Sequence, residues 1–155
     1  MIDDRLGAFI ESSVMMVVAS RGVDGRAALA RGLGARREPD GRLGVVTSET
    51  QWPRAVTHLA PGAAVAFTVC RPTDYVTYQI KGELADIAPA DAADRDMAGR
   101  YVERMTGVLM GLGVGPRQIA CWLTSEGLLR LTLSPRMVFQ QTPGPSAGEP
   151  MGAGR

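Results

Sequence analysis

Hydroxyl and basic side chains cluster where a predicted strand gives way to a predicted helix. Thr47, Ser48 and Thr50 come just before Arg54 along the chain. The unpaired backbone N–H groups of a helix start attract phosphate, and a hydroxyl and a bidentate guanidinium add to that attraction. The segment therefore predicts an anion site. A simple helix cap formed by Ser48 or Thr50, beside a solvated Arg54, explains the same residues, and both interpretations stay open.

Three more polar side chains lie on predicted strands. Arg31 shares one side of its strand with Leu29 and Leu33, and a charge within an apolar row is costly unless it is paired or meets an anion. Gln79 and Lys81, the chain's only lysine, project from the polar side of a strand whose other side is apolar. That pattern is typical of a solvated sheet face. At a subunit boundary, the same pair would offer an amide and a cation to a polar ring.

No catalytic residue or metal site follows from the other reactive side chains. His58 is the only histidine, which removes metal sites that need two imidazoles and leaves a nucleophile one possible partner. Its place near the end of a predicted helix favours a contact with the helix dipole. Cys70 and Cys121 each lie among apolar residues, which predicts two buried thiols. The glycines between 111 and 115 follow a helix rather than a strand, so they predict a helix end and not a dinucleotide loop.

Length and charge restrict the class of protein. The chain has 155 residues, the size of one ordinary domain. Its 17 basic and 16 acidic residues leave a formal charge of +1, which argues against a nucleic-acid partner held by a general positive field. The acidic start Met1-Ile2-Asp3-Asp4 is unlike a signal peptide, and no apolar run approaches the ~20 residues of a membrane span. We expect no membrane association and a cytoplasmic location.

Hydrophobic periodicity predicts six strands and four helices. Asp-Gly pairs at 24–25 and 40–41 suit tight hairpin turns. Because the strands do not alternate regularly with helices, the pattern predicts a mainly β fold with flanking helices (α+β), built as a six-stranded antiparallel β-barrel. From residue 141 the chain has little to bury, so we expect one domain over 1–140 and a disordered tail over 141–155. The predicted strands are 14–19, 26–37, 42–48, 63–70, 75–87 and 127–139, and the predicted helices are 3–12, 49–60, 91–110 and 116–122.

The order of short motifs along the chain carries a family resemblance. The motifs are Asp24-Gly25-Arg26, Asp40-Gly41-Arg42, Pro53-Arg54 through His58-Leu59, Arg71-Pro72-Thr73-Asp74 and Tyr78-Gln79-Ile80-Lys81-Gly82. In this order and spacing, over residues 8 to 140, the sequence resembles the pyridoxamine 5′-phosphate oxidase-like family. Members of that family are FMN-binding split barrels, so the resemblance implies that the predicted barrel is of the split type.

The resemblance also implies a homodimer with two flavin sites along its interface. In the family, the isoalloxazine ring lies between protomers, and basic and hydroxyl side chains hold the phosphate. The family's Ser-Arg-Lys phosphate segment corresponds here to Pro53-Arg54-Ala55, which keeps only the arginine. The loss of one hydroxyl and one cation predicts weak FMN binding or none, because charge-assisted hydrogen bonds contribute ~1.5–3 kcal/mol each. Carried onto this chain, the cofactor contacts are Arg31, Thr47, Ser48, Thr50, Arg54, Gln79 and Lys81.

The leading functional interpretation is an FMN-dependent oxidoreductase that acts on a small-molecule substrate. Three alternatives stay open. One is a reductase that uses the deazaflavin F420 in a similar groove. Another is a haem-binding or haem-handling relative with His58, Cys70 or Tyr75 as axial ligand. The third is a non-catalytic binding module with a degenerate flavin site, which the altered Pro53-Arg54-Ala55 segment favours.

Overall fold

Six antiparallel strands close into a barrel in the computed structural model, which describes residues 2–152. The barrel strands are β1 (Met15–Arg21), β2 (Ala27–Arg37), β3 (Leu43–Ser48), β4 (Ala64–Cys70), β5 (Thr77–Pro89) and β6 (Leu128–Gln140), and a short β7 (Pro150–Met151) follows. The helices are α1 (Asp4–Ile10), α2 (Pro53–Val56), α3 (Ala92–Gly111) and α4 (Pro116–Ala120). Neighbouring strands pair in the order β3-β2-β1-β4-β5-β6, and a β3–β6 pairing closes the ring. The predicted fold class, a six-stranded antiparallel split β-barrel with flanking helices, is confirmed.

Two Asp-Gly turns join the first three strands, as the sequence predicts. Gly25 and Gly41 have φ values of +78° and +84°, a conformation that glycine adopts without steric cost. The side chains of Asp24 and Asp40 each accept the backbone N–H two residues further on, at 3.0 Å. Backbone freedom and side-chain bonding therefore both fix these turns, and the turns set the register of β1, β2 and β3.

One hydrophobic core fills the barrel and reaches the helices. All six barrel strands contribute buried apolar side chains, and α1, α3 and α4 add to the same cluster. Val18, Phe67 and Leu131 have no exposed surface. The hydroxyl of Tyr101, on α3, donates to the carbonyl oxygen of Val14 at 2.8 Å, which satisfies a polar group that burial would otherwise leave unpaired.

A network of ion pairs fixes the start of α3 against the barrel. The carboxylate of Asp94 is 2% exposed and lies 3.4 Å from Arg36 on β2 and 3.7 Å from Arg130 on β6. Both guanidinium groups also contact Glu38. Asp94 and the capping residue Asp91 accept one another's backbone N–H groups. Every charge in the network has a partner, which matters because an unpaired buried carboxylate is strongly destabilising.

The helix after β3 is much shorter than its prediction. The sequence predicts a helix over 49–60, whereas α2 spans only Pro53–Val56. The hydroxyl oxygen of Ser48 accepts the backbone N–H of Gln51 at 3.1 Å, and the residues after Ser48 form a turn rather than the start of a helix. Proline is tolerated only in the first turn of a helix, so Pro53 marks the point at which α2 begins.

The segment after β6 also differs from its prediction. The sequence predicts disorder from residue 141, but β7 pairs with Val138 and Phe139 of β6. The pairing of β3 with β6 ends at Leu133, so later residues of β6 present an open edge. Backbone hydrogen bonds to that edge hold a segment whose own side chains bury little surface. Residues 153–155 of the predicted tail lie outside the described part of the chain.

The buried Tyr101 predicts an alkaline limit to stability. Burial raises the pKa of its phenol well above the ordinary value of about 10. In the unfolded chain the phenol has that ordinary pKa, so above about pH 10 the unfolded chain releases a proton that the folded chain keeps. Ionisation of this group should leave the free energy of unfolding independent of pH below about pH 9, and should lower it by up to ~1.4 kcal/mol per pH unit above pH 10.

Urea unfolding of the wild-type and Tyr101→Phe proteins between about pH 8 and 11.5 measures this contribution. The variant lacks the hydrogen bond to Val14 and is therefore less stable at neutral pH. Its free energy of unfolding should nevertheless decline less steeply above pH 10 than that of the wild type. Equal slopes for the two proteins would contradict the prediction.

Candidate functional site

The strand register aligns ten outward side chains in two rows across β2, β1, β4, β5 and β6. Direct cross-strand partners lie on the same side of a sheet. Their neighbours along the strands, such as Val18, Phe67 and Ile80, point the other way into the core. We call the ten outward side chains the outer face. The first row is Arg31, Val17, Thr68, Gln79 and Phe139, and the second row is Leu29, Ala19, Ala66, Lys81 and Met137.

The outer face is mostly apolar and open to solvent. Leu29 and Met137, at its two margins, are 59% and 52% exposed. The middle of the second row holds only the short side chains of Ala19 and Ala66. Apolar side chains thus form a contiguous part of this face.

Three of the residues expected to contact a cofactor lie on this one face. Arg31 stands on β2, and Gln79 and Lys81 stand on β5, with β1 and β4 between them. Neighbouring strands are ~4.8 Å apart, so the β2 and β5 columns are ~14 Å apart. The structure therefore places Arg31, Gln79 and Lys81 on a common surface, but Arg31 is too far from the other two to contact them.

Arg31 is a half-buried cation without a carboxylate partner among residues 2–152. Its guanidinium carbon lies 5.2 Å from the ring centroid of Trp122, just after α4, which is a cation–π distance. Burial lowers the pKa of Arg31, and the phenol of Tyr101 partly opposes that shift. The charged form is thus partly removed from water, and an anion beside it would stabilise it.

Gln79 and Lys81 have incomplete polar contacts. The amide nitrogen of Gln79 donates to the hydroxyl of Thr68 at 3.1 Å, and its oxygen has no donor within residues 2–152. The ammonium nitrogen of Lys81 lies 4.6 Å from the ring centroid of Phe139. No carboxylate in the described part of the chain lies within ion-pair distance of Lys81. An amide oxygen and a cation therefore remain available at this margin of the outer face.

Two of the three expected hydroxyl contacts are already engaged by the protein. Thr47 and Ser48 have no exposed surface. The hydroxyl of Thr47 donates to the carbonyl oxygen of Arg31 at 2.9 Å, and that of Ser48 donates to the carbonyl oxygen of Glu126 at 2.7 Å. Only Thr50, which is exposed, keeps a hydroxyl at the surface. Thr47 and Ser48 thus hold the backbone together at the end of β3.

Arg54 lies on the solvent-facing side of α2. Its side chain is exposed and makes no hydrogen bond or ion pair with any residue in the range 2–152. Its helix has only four residues, too few for a strong dipole. Ala55 next to it is buried and packs against Ala28 and Ala30 of β2. The guanidinium of Arg54 is therefore unpaired within residues 2–152, and the phosphate contact expected of it stays a prediction.

The turn between β3 and α2 carries two buried polar atoms that have no hydrogen-bond partner within residues 2–152. They are the side-chain oxygen of Gln51 and the indole nitrogen of Trp52. The amide nitrogen of Gln51 donates to the carbonyl oxygen of Ala120 at 3.3 Å, which ties this turn to α4 near Trp122. Unpaired buried polar atoms are rare and require an explanation. Sequence reasoning missed these atoms and Trp122, because their surroundings are set by tertiary contacts. Gln51 contacts Ala120, Trp52 packs against Ala28 and Ala30, and Trp122 lies against Arg31.

The alternative haem ligands lie in different surroundings. His58 is half-buried, and its Nδ1 atom has no partner among the described residues. Cys70 is half-buried at the end of β4, and Tyr75 is 65% exposed in the following loop with a φ of +61°. Both cysteines are free, but Cys121 is exposed, unlike its predicted burial. It follows directly after α4, whose buried residue is Ile119.

Residues 2–152 contain no group of three or more His, Cys, Asp and Glu side chains placed to hold a metal ion. None of their helices combines the length and the apolar character needed to cross a membrane.

Comparisons with known proteins identify the fold. No family model matches the sequence, and no curated protein matches it. Among solved structures, an F420 reductase is similar over 88% of this chain and 98% of its own, with 15% identity and a TM-score of 0.54. HupZ from Group A Streptococcus is similar over 96% of this chain and 100% of its own, with 14% identity and a TM-score of 0.55. The conserved hypothetical protein Rv2991 from Mycobacterium tuberculosis is similar over 89% of this chain and 82% of its own, with 17% identity and a TM-score of 0.50.

These similarities establish that this chain has the split-barrel fold. The neighbours share the barrel architecture of this chain over 82–100% of their own length. At identities of 14–17%, the likeness concerns the fold alone.

Substitution of Ser48 distinguishes a structural role from a ligand contact. Ser48→Ala should lower the free energy of unfolding by about 1–3 kcal/mol, because it removes two partly buried hydrogen bonds, one to the carbonyl of Glu126 and one from the N–H of Gln51. Urea unfolding measures the change. Thr73→Ala removes an exposed hydroxyl that makes no hydrogen bond within residues 2–152, and should change stability by less than about 0.5 kcal/mol. If both variants were equally stable, the Ser48 hydroxyl would be free to serve a ligand.

Proposed function

We propose that the chain is a homodimeric oxidoreductase that holds a flavin-type cofactor, FMN or the deazaflavin F420, between the outer faces of two copies. The observation that carries this proposal is Arg31, a half-buried cation on an apolar sheet face with no carboxylate partner in the described part of the chain. The phosphate of either cofactor would supply the missing negative charge. The sequence resemblance to FMN-binding split barrels and the structural likeness to an F420 reductase support the proposal.

The apolar outer face supports the homodimer. A two-fold axis that lies in the interface, parallel to the strands and between β1 and β4, gives an isologous contact in which β2 of one copy faces β5 of its partner. Leu29 and Met137 would then lose their contact with water, which favours association. In this arrangement, Arg31 of one copy faces the partner's Gln79 and the partner's Lys81. Groups ~14 Å apart on one chain thereby line a single site.

The residues at this seam fit an anionic cofactor with a polar ring. Trp122 fixes the guanidinium of Arg31 before any anion arrives, which reduces the side-chain entropy lost on binding. The free amide oxygen of Gln79 can accept a hydrogen bond from a ring N–H, and Lys81 can donate to a ring oxygen. The apolar side chains around them exclude water and strengthen both contacts.

The anion contacts are fewer than the sequence resemblance implies. Thr47 and Ser48 keep their hydroxyls in backbone bonds, so Arg31 is the principal contact, with Thr50 and Arg54 at the solvent-facing margin. Binding should therefore be weak and sensitive to salt, because solvated charges are screened. The cofactor supplies hydride transfer when bound. The chain's own residues bind it, orient its ring and keep water from it.

Titration with FMN, F420 and haem in separate experiments tests the proposal. Flavin fluorescence or haem absorbance at about 150 mM salt gives each affinity. Arg31→Gln should weaken FMN or F420 binding by about 10- to 100-fold, because it removes a charge-assisted hydrogen bond of ~1.5–3 kcal/mol. Arg54→Gln is the matched control. It makes the same change of charge at an exposed position and should weaken binding less than about threefold.

Each contrary result has a specific meaning. A larger loss of cofactor affinity in Arg54→Gln than in Arg31→Gln would indicate that Arg54 on α2, rather than Arg31, contacts the phosphate. A Soret band that disappears in His58→Ala, Cys70→Ala or Tyr75→Phe would indicate a haem-handling protein. If none of the three cofactors binds, the chain would instead be a non-catalytic binding module. A monomeric mass by light scattering at micromolar concentration would exclude the shared seam.

A further inference from the structure

A shallow depression of about 570 Å³ lies at one end of the outer face. Ala19 and Ala66 form its floor, with the backbone of Gly82 beside them, and Lys81 and Met137 form one wall. It extends from the second row of the outer face towards the ends of β1 and β4. Neither the sequence nor the cofactor contacts proposed above account for it.

The depression exists because small residues lie between large ones. Along the second row, Ala19 and Ala66 are flanked by the longer Leu29 on one side and by Lys81 and Met137 on the other. The only side-chain groups on the floor are therefore the methyl groups of Ala19 and Ala66. Gly82 cannot carry a side chain, since a Cβ there would overlap the carbonyl oxygen of Ser134 on β6. The backbones of β5 and β6 thus approach one another closely at this end of the depression.

Basic side chains surround this apolar floor. Arg21, Lys81 and Arg136 all line the depression, and the only carboxylate lining it is that of Glu83. Arg136 already pairs with Glu83 at 3.1 Å, which leaves Arg21 and Lys81 without a carboxylate among residues 2–152. Arg21 donates only to the carbonyl oxygen of Gly25, at 3.3 Å. A local excess of two positive charges stands out in a chain whose formal charge is +1.

We propose that the depression binds a small amphipathic anion, with a flat apolar body and one oxyanion head such as a carboxylate, sulfonate or phosphate. The body lies on Ala19 and Ala66, and the head meets Lys81, with Arg21 at the far rim. Apolar contact and charge complementarity act on different parts of the same ligand, so neutral and cationic molecules of similar shape bind less well.

The position of Lys81 connects this depression to the cofactor seam. Lys81 belongs both to the outer face and to the wall of the depression. In the proposed dimer the two-fold axis passes between Ala19 and Ala66, so the depressions of the two copies face one another across the seam. An anion held there would lie within the seam and beside the cofactor ring, where a substrate must lie to exchange a hydride. The assignment of this ligand as the substrate rests on the proposed function, but its binding to the depression does not.

Two fluorescent probes of matched shape test the binding without any cofactor. The anionic probe is 8-anilinonaphthalene-1-sulfonate, and N-phenyl-1-naphthylamine is its neutral analogue. At about 150 mM salt, the sulfonate should bind the wild-type chain about tenfold more tightly. Amide shifts in ¹⁵N-labelled protein should change at Ala19, Ala66 and Gly82.

Three variants locate the site. Lys81→Gln should weaken sulfonate binding about tenfold and leave the neutral probe within about twofold. Ala66→Leu should weaken both probes, because the larger side chain fills the floor. Arg95→Gln, which removes an exposed cation on α3, is the control and should change neither affinity.

Several outcomes would overturn the proposal. They are equal affinities for the two probes, equal effects of Lys81→Gln and Arg95→Gln, and shift changes confined to other parts of the chain. Because Lys81 is exposed, its replacement leaves the fold intact, so a loss in that variant reports on binding. No cofactor is present, so a negative result leaves the cofactor proposal standing. A failure of the cofactor titration would equally leave this proposal standing.

Discussion

The closed antiparallel register is the constraint on which the candidate site depends. Successive side chains of a strand point to opposite sides, so packing Val18 and Phe67 into the barrel commits Arg31, Gln79 and Lys81 to the outside. A shift of one residue would exchange the two sets and carry the guanidinium into the core. The Asp-Gly turns and the β3–β6 closure prevent that shift. The polar chemistry of the outer face is thus a consequence of how the apolar core packs.

Partial burial without a carboxylate partner, rather than residue type, singles out Arg31 among the arginines of residues 2–152. Arg54 is solvated, and salt screens its attraction for an anion. Arg31 rests on Trp122, has lost part of its hydration and meets no carboxylate within residues 2–152, so an anion gains more there. Within the same range Lys81 is a second unpaired cation, and it lies next to the short side chains of Ala66 and Ala19. Both cations stand on an apolar surface, where charge selects the ligand and the surrounding side chains remove water.

Features with local causes could be predicted from the sequence. Alternation in β5 places Gln79 and Lys81 on the same side, and the Asp91 cap and apolar spacing locate α3 to within a residue. Features with distant causes could not. The hydroxyl of Ser48 donates to the carbonyl of Glu126, 78 positions away, so this structural contact could not be read from the sequence. The stacking of Arg31 on a tryptophan from another segment, and the pairing of β7 with an open strand edge, likewise leave no mark on short-range patterns.

Mixing two defective chains tests the shared seam most directly. Arg31→Gln and Lys81→Gln each impair both sites of their own homodimer. In a hybrid dimer, purified through two different tags, one seam combines both substitutions and the other joins wild-type Arg31 to wild-type Lys81 of the partner subunit. We predict that the hybrid binds one FMN or F420 per dimer with wild-type affinity, whereas both parent homodimers bind weakly. A hybrid that binds no better than its parents would contradict a cofactor site built from two chains.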